Sequence, residues 1–302
     1  YWRELDREKT YPTEFVQALT EAGYLSILIP QAYGGSGLPL GAACAVLEEI
    51  HRSGGNGGAC HAQMYTMGTL LRHGSDEQKQ QYLPAIADGS LRLQAFGVTE
   101  PASGTDTSRI RTTAIRDGDD YVVNGQKVYI SRSMHSDLMV LLVRTAPRDQ
   151  CERHTDGMSV LLVDMREAVG NGLTIRPLDT MMNHASTELF FDNLRVPVKN
   201  LIGPDKEYYQ FQTYTPEEYA WKRMWLADQL VSMNADVVAF QEIFEEGALR
   251  DVLAHADAEG RAENKDNLPG QDKRYRRRAI FEKLGYDPYG EAAVAFAPNA
   301  ND

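Results

Sequence analysis

The hydrophobic periodicity of the chain changes at about Arg92, and this change limits the folds that the sequence can adopt. Before this point apolar residues recur at helical spacing, and after it short strand-like segments alternate with turns as far as Gly203. We therefore expect an α+β multidomain protein. The predicted parts are an α-helical N-terminal domain over 1–91 and an antiparallel β-barrel middle domain over 92–203.

The helical part carries recognisable start and stop signals. Phe15 and Leu19 lie on one predicted helix face that Gly23 ends. Ser75 and Gln78 have the spacing of a capping box at the start of a later helix. These signals predict several short amphipathic helices before the first strand.

The middle part reads as a series of short β segments. They are LQAFGVT, RTTAIRDGDDYVVNGQKVYI, DLMVLLVRT, MSVLLVD, LTIRPL and ELFFDNLRVP. Asp117 and Gly118 have the composition of a tight turn, so the second segment is predicted to be a hairpin.

The character of the sequence changes again after Gly203. The region 208–302 is predicted to be a truncated α/β segment: a helix, an apolar strand in ADVVAFQE and a second helix in GALRDVLAHA. From Asp257 the sequence is polar, and we expect a long loop there.

The composition excludes some classes of function. The chain has 302 residues and a net charge of −12, which argues against a nucleic-acid or membrane-surface binder. Its longest aliphatic run, at 138–143, is too short to span a bilayer. Three cysteines without a Cys-x-x-Cys motif indicate neither a disulfide framework nor a zinc site. We therefore expect a cytoplasmic protein, and the absence of an initiator Met leads us to expect a fragment.

The stretch FGVTEPASGTD joins a strand-like end to a loop of small residues. Such a loop could cradle a phosphate, ligate a metal or lie against a flat cofactor. It lacks the Gly-Lys-Ser/Thr ending of a P-loop, so that kind of nucleotide site is disfavoured.

Four motifs, taken in order, resemble the acyl-CoA dehydrogenase family over residues 1–203. They are LIPQAYGGSGL, HGSDEQKQQYLPAIADGSLRLQAFGVTEPASGTD, VVNGQKVYIS and ELFFDNLRVPVKNLIG. Each is weak alone, but the four in this order are specific. The resemblance implies an FAD-dependent oxidoreductase of acyl-CoA metabolism that acts on CH–CH bonds.

The resemblance also implies a set of site residues. Those expected to bind FAD are Phe96, Val98, Thr99, Gly104, Thr105, Tyr129 and Ser131. Those expected to contact the acyl-CoA substrate are Thr105 and His184. Tyr129 stands where the family usually has Trp, and Thr105 where it usually has Ser.

The chemistry implied is α,β-dehydrogenation of an acyl-CoA thioester, with the electrons passing to flavin. The resemblance implies an electron-transfer flavoprotein or similar acceptor as partner and a homotetramer as the usual assembly. It places the catalytic Glu in a C-terminal helical domain, and nothing after Gly203 is similar to that domain. We therefore assign no catalytic residue and expect impaired activity.

Residues 208–302 resemble instead an N-terminal piece of the endonuclease/exonuclease/phosphatase superfamily. This resemblance implies that Glu242, after the apolar strand, ligates Mg²⁺. Two alternatives to the dehydrogenase follow: a Mg²⁺-dependent phosphoesterase, or a non-catalytic fragment that binds flavin or acyl-CoA. The junction near 203–210 is interpreted as a fusion or an artefact.

Overall fold

The structure is a computed structural model. It describes residues 1–104, 106–152, 156–181, 184–203, 215–233, 237–240, 246–263, 278–280 and 293–296. The chain divides into two compact units, Tyr1–Tyr209 and Gln210–Asp302. Each unit is described by itself.

The first unit begins with five helices. They are α1 (Trp2–Glu8), α2 (Thr13–Glu21), α3 (Leu40–Arg52), α4 (Gly58–His73) and α5 (Asp76–Ala87). The predicted capping box is confirmed at the start of α5, where Gln78 N–H donates to Ser75 Oγ at 3.2 Å and Ser75 N–H donates to Gln78 Oε1 at 3.0 Å. These two bonds satisfy donors that the first turn of a helix leaves without partners.

The helices are followed by eight strands that form one sheet. They are β1 (Leu93–Gly97), β2 (Thr113–Asp117), β3 (Asp120–Ser131), β4 (Leu138–Arg144), β5 (Met158–Asp164), β6 (Leu173–Pro177), β7 (Ser186–Pro197) and β8 (Leu201–Ile202), with the short helix α6 (Met165–Ala168) after β5. The strand order is β6-β7-β3-β2-β4-β5-β8, and β1 pairs with β4.

The helical N-terminal part and the sheet-rich middle part are confirmed, and the predicted hairpin joins β2 to β3. Gly118 in its turn has φ +65°, a conformation that glycine adopts without strain. Most strand pairs are antiparallel, as predicted. The differences are β1 and β2, each of which pairs with β4 in a parallel orientation.

Strand β1 is a part of the sheet against which the helices pack. Met67 and Leu70 of α4 and Leu83 of α5 share one buried cluster with Leu93 and Leu138. Thr66 Oγ1 also donates to the Leu93 carbonyl at 2.5 Å. These contacts fix β1, and with it the start of the loop that follows.

The second unit contains α7 (Pro216–Met233), β9 (Val237–Phe240), α8 (Glu246–Glu263), β10 (Arg278–Ile280) and β11 (Ala293–Phe296). The three strands pair antiparallel in the order β10-β11-β9. Helices α7 and α8 pack through a buried cluster that includes Ala227, Leu230 and Leu253.

The predicted loop from Asp257 is wrong over its first seven residues, because α8 continues to Glu263. Ala, Glu and Arg in this stretch are good helix formers, and they outweigh the single Gly260. Within the described ranges, no helix combines the length and apolar character needed to cross a membrane.

Candidate functional site

The loop after β1 is folded tightly on itself. Glu100 N–H donates to the Ser103 carbonyl at 2.9 Å, and Ser103 N–H donates to the Glu100 carbonyl at 3.0 Å. Ser103 Oγ donates to the Asp106 carbonyl at 2.7 Å, and Asp106 Oδ1 accepts the N–H of Ser108 at 3.1 Å. These bonds stabilise the Thr-Glu-Pro loop from within.

A buried ion pair ties this loop to β3. Lys127 Nζ lies 2.9 Å from Glu100 Oε1 and donates to the Val98 carbonyl, also at 2.9 Å. The Glu100 carboxylate accepts two backbone N–H groups as well, from Arg111 at 2.6 Å and from Thr112 at 2.9 Å. Both charges are therefore well satisfied by hydrogen bonds, which a buried ion pair requires.

The two charged groups affect each other's titration. Burial alone would raise the pKa of the Glu100 carboxyl, but the ammonium of Lys127 and three hydrogen bonds outweigh burial and hold that pKa below its usual value. Burial lowers the pKa of Lys127 to about 8, against the opposing pull of Glu100. Both groups are therefore charged at neutral pH.

Tyr129 occupies a β-bulge that reverses the direction of its side chain. The pairing of β3 with β7 shifts register between Lys127 and Ile130, and Tyr129 has φ +61°. In a regular strand Lys127 and Tyr129 would point to the same face. Here Lys127 is fully buried and Tyr129 is 69% exposed. A positive φ is strained for an aromatic residue, and such strain is concentrated at functional sites.

Phe96 on β1 also presents its ring at the surface. It is 36% exposed, and its ring centroid lies 5.7 Å from that of Tyr65 on α4, in an edge-on arrangement. Val98 is half-buried and packs against the core. The Thr99 carbonyl accepts the N–H of Val128 at 2.9 Å, which places Thr99 beside the bulge.

Ser131 lies at the end of β3, opposite Ser186 of β7. The next residue, Arg132, has φ +62° and starts a short turn. Ser133 Oγ lies 2.6 Å from Thr187 Oγ1, so the turn is fixed on β7. Five of the predicted flavin residues, those on β1, its loop and β3, thus lie on two adjoining segments: Phe96, Val98, Thr99, Tyr129 and Ser131.

The structure places His184 in a separate cavity. The imidazole Nε2 lies 2.9 Å from Asp6 Oδ1, and Nδ1 lies 3.2 Å from the Thr180 carbonyl oxygen. The side chain is only 14% exposed, and it lines a cavity of about 490 Å³ together with residues of α1 and Arg132. Phe96, Tyr129 and Ser131 do not line this cavity.

For three other predicted site residues the structure provides little or no description. Gly104 is partly exposed in the loop, and Thr105 lies outside the described residues. Glu242 lies outside them too, so the Mg²⁺ prediction has no structural counterpart. In the part of the chain that the structure describes, no group of three or more His, Cys, Asp or Glu side chains could hold a metal ion.

Two features of the site were not predicted from the sequence. The Glu100–Lys127 pair joins residues 27 positions apart. Both residues lie within the family motifs, but neither of them was assigned a role from the sequence. Arg132 was not singled out either. An arginine directly after a predicted cofactor hydroxyl, Ser131, was the signal available.

Comparison with known proteins identifies the family. The model of the acyl-CoA dehydrogenase N-terminal domain matches residues 1–90, and that of the middle domain matches residues 95–194. Acyl-CoA dehydrogenase FadE26 of Mycobacterium tuberculosis is 34% identical over 196 residues, which cover 64% of this chain and 47% of that protein.

Solved structures agree in fold. An acyl-CoA dehydrogenase from Geobacillus kaustophilus has a TM-score of 0.63 and 27% identity, and the match covers 86% of this chain and 71% of that one. A chain from work on the electron transferring flavoprotein of Acidaminococcus fermentans has a TM-score of 0.61 and 29% identity, over 76% of this chain and 59% of that one.

A helical domain followed by a sheet-rich domain is the order in which the two family models match the chain. The chain belongs to the acyl-CoA dehydrogenase family. It spans about half the length of the curated relatives that it matches. The same comparisons give no support to a phosphoesterase resemblance or to a Mg²⁺ site.

Proposed function

We propose that this chain binds FAD on the face formed by β1, its loop and the end of β3, and that an acyl-CoA thioester binds beside it. The observation that carries the proposal is the bulge at Tyr129, which turns an aromatic ring outward from a rigid, buried scaffold. Family membership supports the choice of ligands.

The exposed residues fit an isoalloxazine ring, which is flat, apolar on its faces and polar along one edge. A site for such a ring needs an apolar platform and a few donors. Tyr129 and Phe96 supply the aromatic surface, while Ser131 and Thr99 supply hydroxyl groups. Gly104 and Thr105 are proposed to meet the flavin phosphates, with Thr105 also at the thioester. Tyr129 gives a shorter platform than the Trp usual in the family.

When bound, FAD would accept two electrons from the α,β bond of the acyl thioester. The contribution of the chain is to hold and orient the ring and the thioester on its fixed loop. We assign no catalytic base in this chain, so we expect turnover below about 1 per second, which is slow for an enzyme. His184 is proposed as an acyl-CoA contact in the neighbouring cavity.

The partners follow the family. An electron transferring flavoprotein is proposed as acceptor, and the match to a chain from such work supports this. A homotetramer, the domain boundaries at 91/92 and 203/208, and a cytoplasmic location remain predictions.

The proposal is tested by adding FAD to the purified chain, desalting it and recording the visible spectrum. We expect a retained flavin spectrum in the wild type and a weaker one in Tyr129→Ala. Tyr24→Ala is the matched control, because Tyr24 is also exposed but lies outside the proposed site. If the wild type retains no flavin, or both variants lose it equally, the proposal is wrong.

A further inference from the structure

The cavity that holds His184 is also lined by an arginine, Arg132. The cavity measures about 490 Å³, and its walls include the apolar groups of Trp2, Leu5 and Pro12. The ionisable side chains that line it are Asp6, Tyr11, Arg132 and His184. An apolar cavity with a few convergent polar groups is the usual form of a small-molecule site.

The guanidinium of Arg132 is half-buried, and in the described part of the chain it makes no hydrogen bond or ion pair. The titratable groups that face it are the phenols of Tyr11 and Tyr65 and the imidazole of His135, whose pKa is lowered by burial and by the charge of Arg132. Burial raises the pKa of both phenols, so they are neutral at physiological pH. A partly buried cation without a compensating partner is costly, and such charges are normally paired.

The carboxylate that lines the cavity, Asp6, contacts His184, and it is not among the groups that shift the pKa of Arg132. Asp6 Oδ1 lies 2.9 Å from His184 Nε2, so it is already engaged. The other ring nitrogen, His184 Nδ1, faces the Thr180 carbonyl. The imidazole and Asp6 therefore form a pair of their own, and Arg132 remains the group with capacity to bind an anion.

The position of the guanidinium depends on a glycine. A Cβ atom at Gly58, the first residue of α4, would overlap Nη2 of Arg132. Asn56 Oδ1 accepts the N–H of Gly58 at 2.9 Å and so fixes the backbone there. The chain thus provides the space that Arg132 needs in order to reach the cavity.

We propose that Arg132 binds an oxyanion group, a carboxylate or a phosphate, of a ligand that occupies this cavity. Arg132 directly follows Ser131, and it lies near Tyr65, whose ring contacts Phe96. The anion site therefore borders the proposed flavin site. That its ligand is an acyl-CoA rests on the proposed function, whereas the anion site itself does not.

The test is calorimetric titration of the full chain with four ligands: glutaryl-CoA, pentanoyl-CoA, CoA and 3′-dephospho-CoA. Loss of a charge-assisted hydrogen bond weakens binding by about tenfold or more. If Arg132 binds a carboxylate, Arg132→Gln weakens the binding of glutaryl-CoA by that factor and leaves the binding of pentanoyl-CoA unchanged. If Arg132 binds the 3′-phosphate of CoA, the variant weakens the binding of every ligand except 3′-dephospho-CoA.

Three further variants sharpen the result. Arg72→Gln removes the same charge from the exposed far end of α4 and should change nothing. Arg132→Lys should retain part of the affinity, and Gly58→Ala should lose it by displacing the guanidinium. Thermal melts check that each variant is folded.

Binding of all four ligands to Arg132→Gln as tight as to the wild type overturns the proposal. If no CoA ligand binds the wild type, the substrate part of the proposed function fails, and inorganic phosphate and succinate then test the anion site alone. Binding of either that depends on Arg132 supports the site, and binding of neither overturns it.

Discussion

The two faces of the junction between β1 and β3 differ sharply, although they are built from neighbouring residues. On the inner face, Glu100 and Lys127 are buried and hydrogen-bonded to each other and to the backbone. On the outer face, Phe96 and Tyr129 expose their rings. The bulge at Tyr129 creates the difference, because it separates two side chains that a regular strand would place together.

We assign the stability of the loop to the inner face and the binding of a ligand to the outer face. The inner face fixes the backbone of the loop, and its charges are satisfied inside the protein. The outer face carries a strained backbone and apolar area that folding leaves at the surface. Under the proposal a ligand covers this surface, so variants of the two faces should fail in different ways.

The largest effect is expected when the buried pair is broken. Lys127→Met leaves the Glu100 carboxylate buried without its partner, and we expect the free energy of unfolding to fall by about 3–5 kcal/mol. Urea unfolding followed by far-UV circular dichroism measures the change.

The matched control for this variant is Lys199→Met, which removes an exposed charge and should change stability by less than about 0.5 kcal/mol. An equally small effect of Lys127→Met would show that the pair does not hold the loop.

A smaller effect is expected from acid. The pKa of Glu100 is lowered in the folded state, so the stabilisation from its ionised form is complete above the ordinary value of 4.5 and is lost as the pH falls through the folded value. Each unit between the two values is worth about 1.4 kcal/mol. The free energy of unfolding should therefore fall less steeply below pH 4.5 in Glu100→Gln than in the wild type.

Urea midpoints between pH 3 and pH 6 measure these slopes. Glu14→Gln, which removes an exposed carboxylate, should keep the slope of the wild type. Parallel slopes in all three proteins would contradict the role given to Glu100.

The smallest effect on stability is expected at the bulge, where we expect a substitution to raise the free energy of unfolding instead of lowering it. Tyr129→Gly relieves the positive φ, so we expect the free energy of unfolding to rise by about 1 kcal/mol. The same variant removes the aromatic platform and should weaken FAD binding by about three- to tenfold. Thermal unfolding and FAD titration on one preparation measure both changes.

Tyr129→Phe is the control, since it keeps the ring and should keep the affinity for FAD. A fall in both stability and affinity in Tyr129→Gly would show that the ring serves packing and is not reserved for a ligand.

Local signals made much of the fold predictable. The capping box of Ser75 and Gln78 and the turn at Gly118 are encoded within four residues or fewer, and both were found. The parallel pairing of β1 with β4 was not predicted, because pairing between distant strands depends on packing of the whole sheet.

The same reasoning explains which parts of the site were missed. The resemblance drew attention to Tyr129 and Ser131, but no residue pattern marks Tyr129 as the position of a bulge. The partner of Glu100 lies on β3, far along the chain. The absence of a side-chain partner for Arg132 among the described residues can be read only from three-dimensional contacts.

The most direct test of the account is hydrogen–deuterium exchange of the full chain with and without saturating FAD. The account predicts slower exchange in two segments, 96–104 and 128–132, because the flavin would cover the loop and the bulge. Unchanged exchange in both segments, or protection found only elsewhere in the chain, would contradict the proposal that this face is the cofactor site.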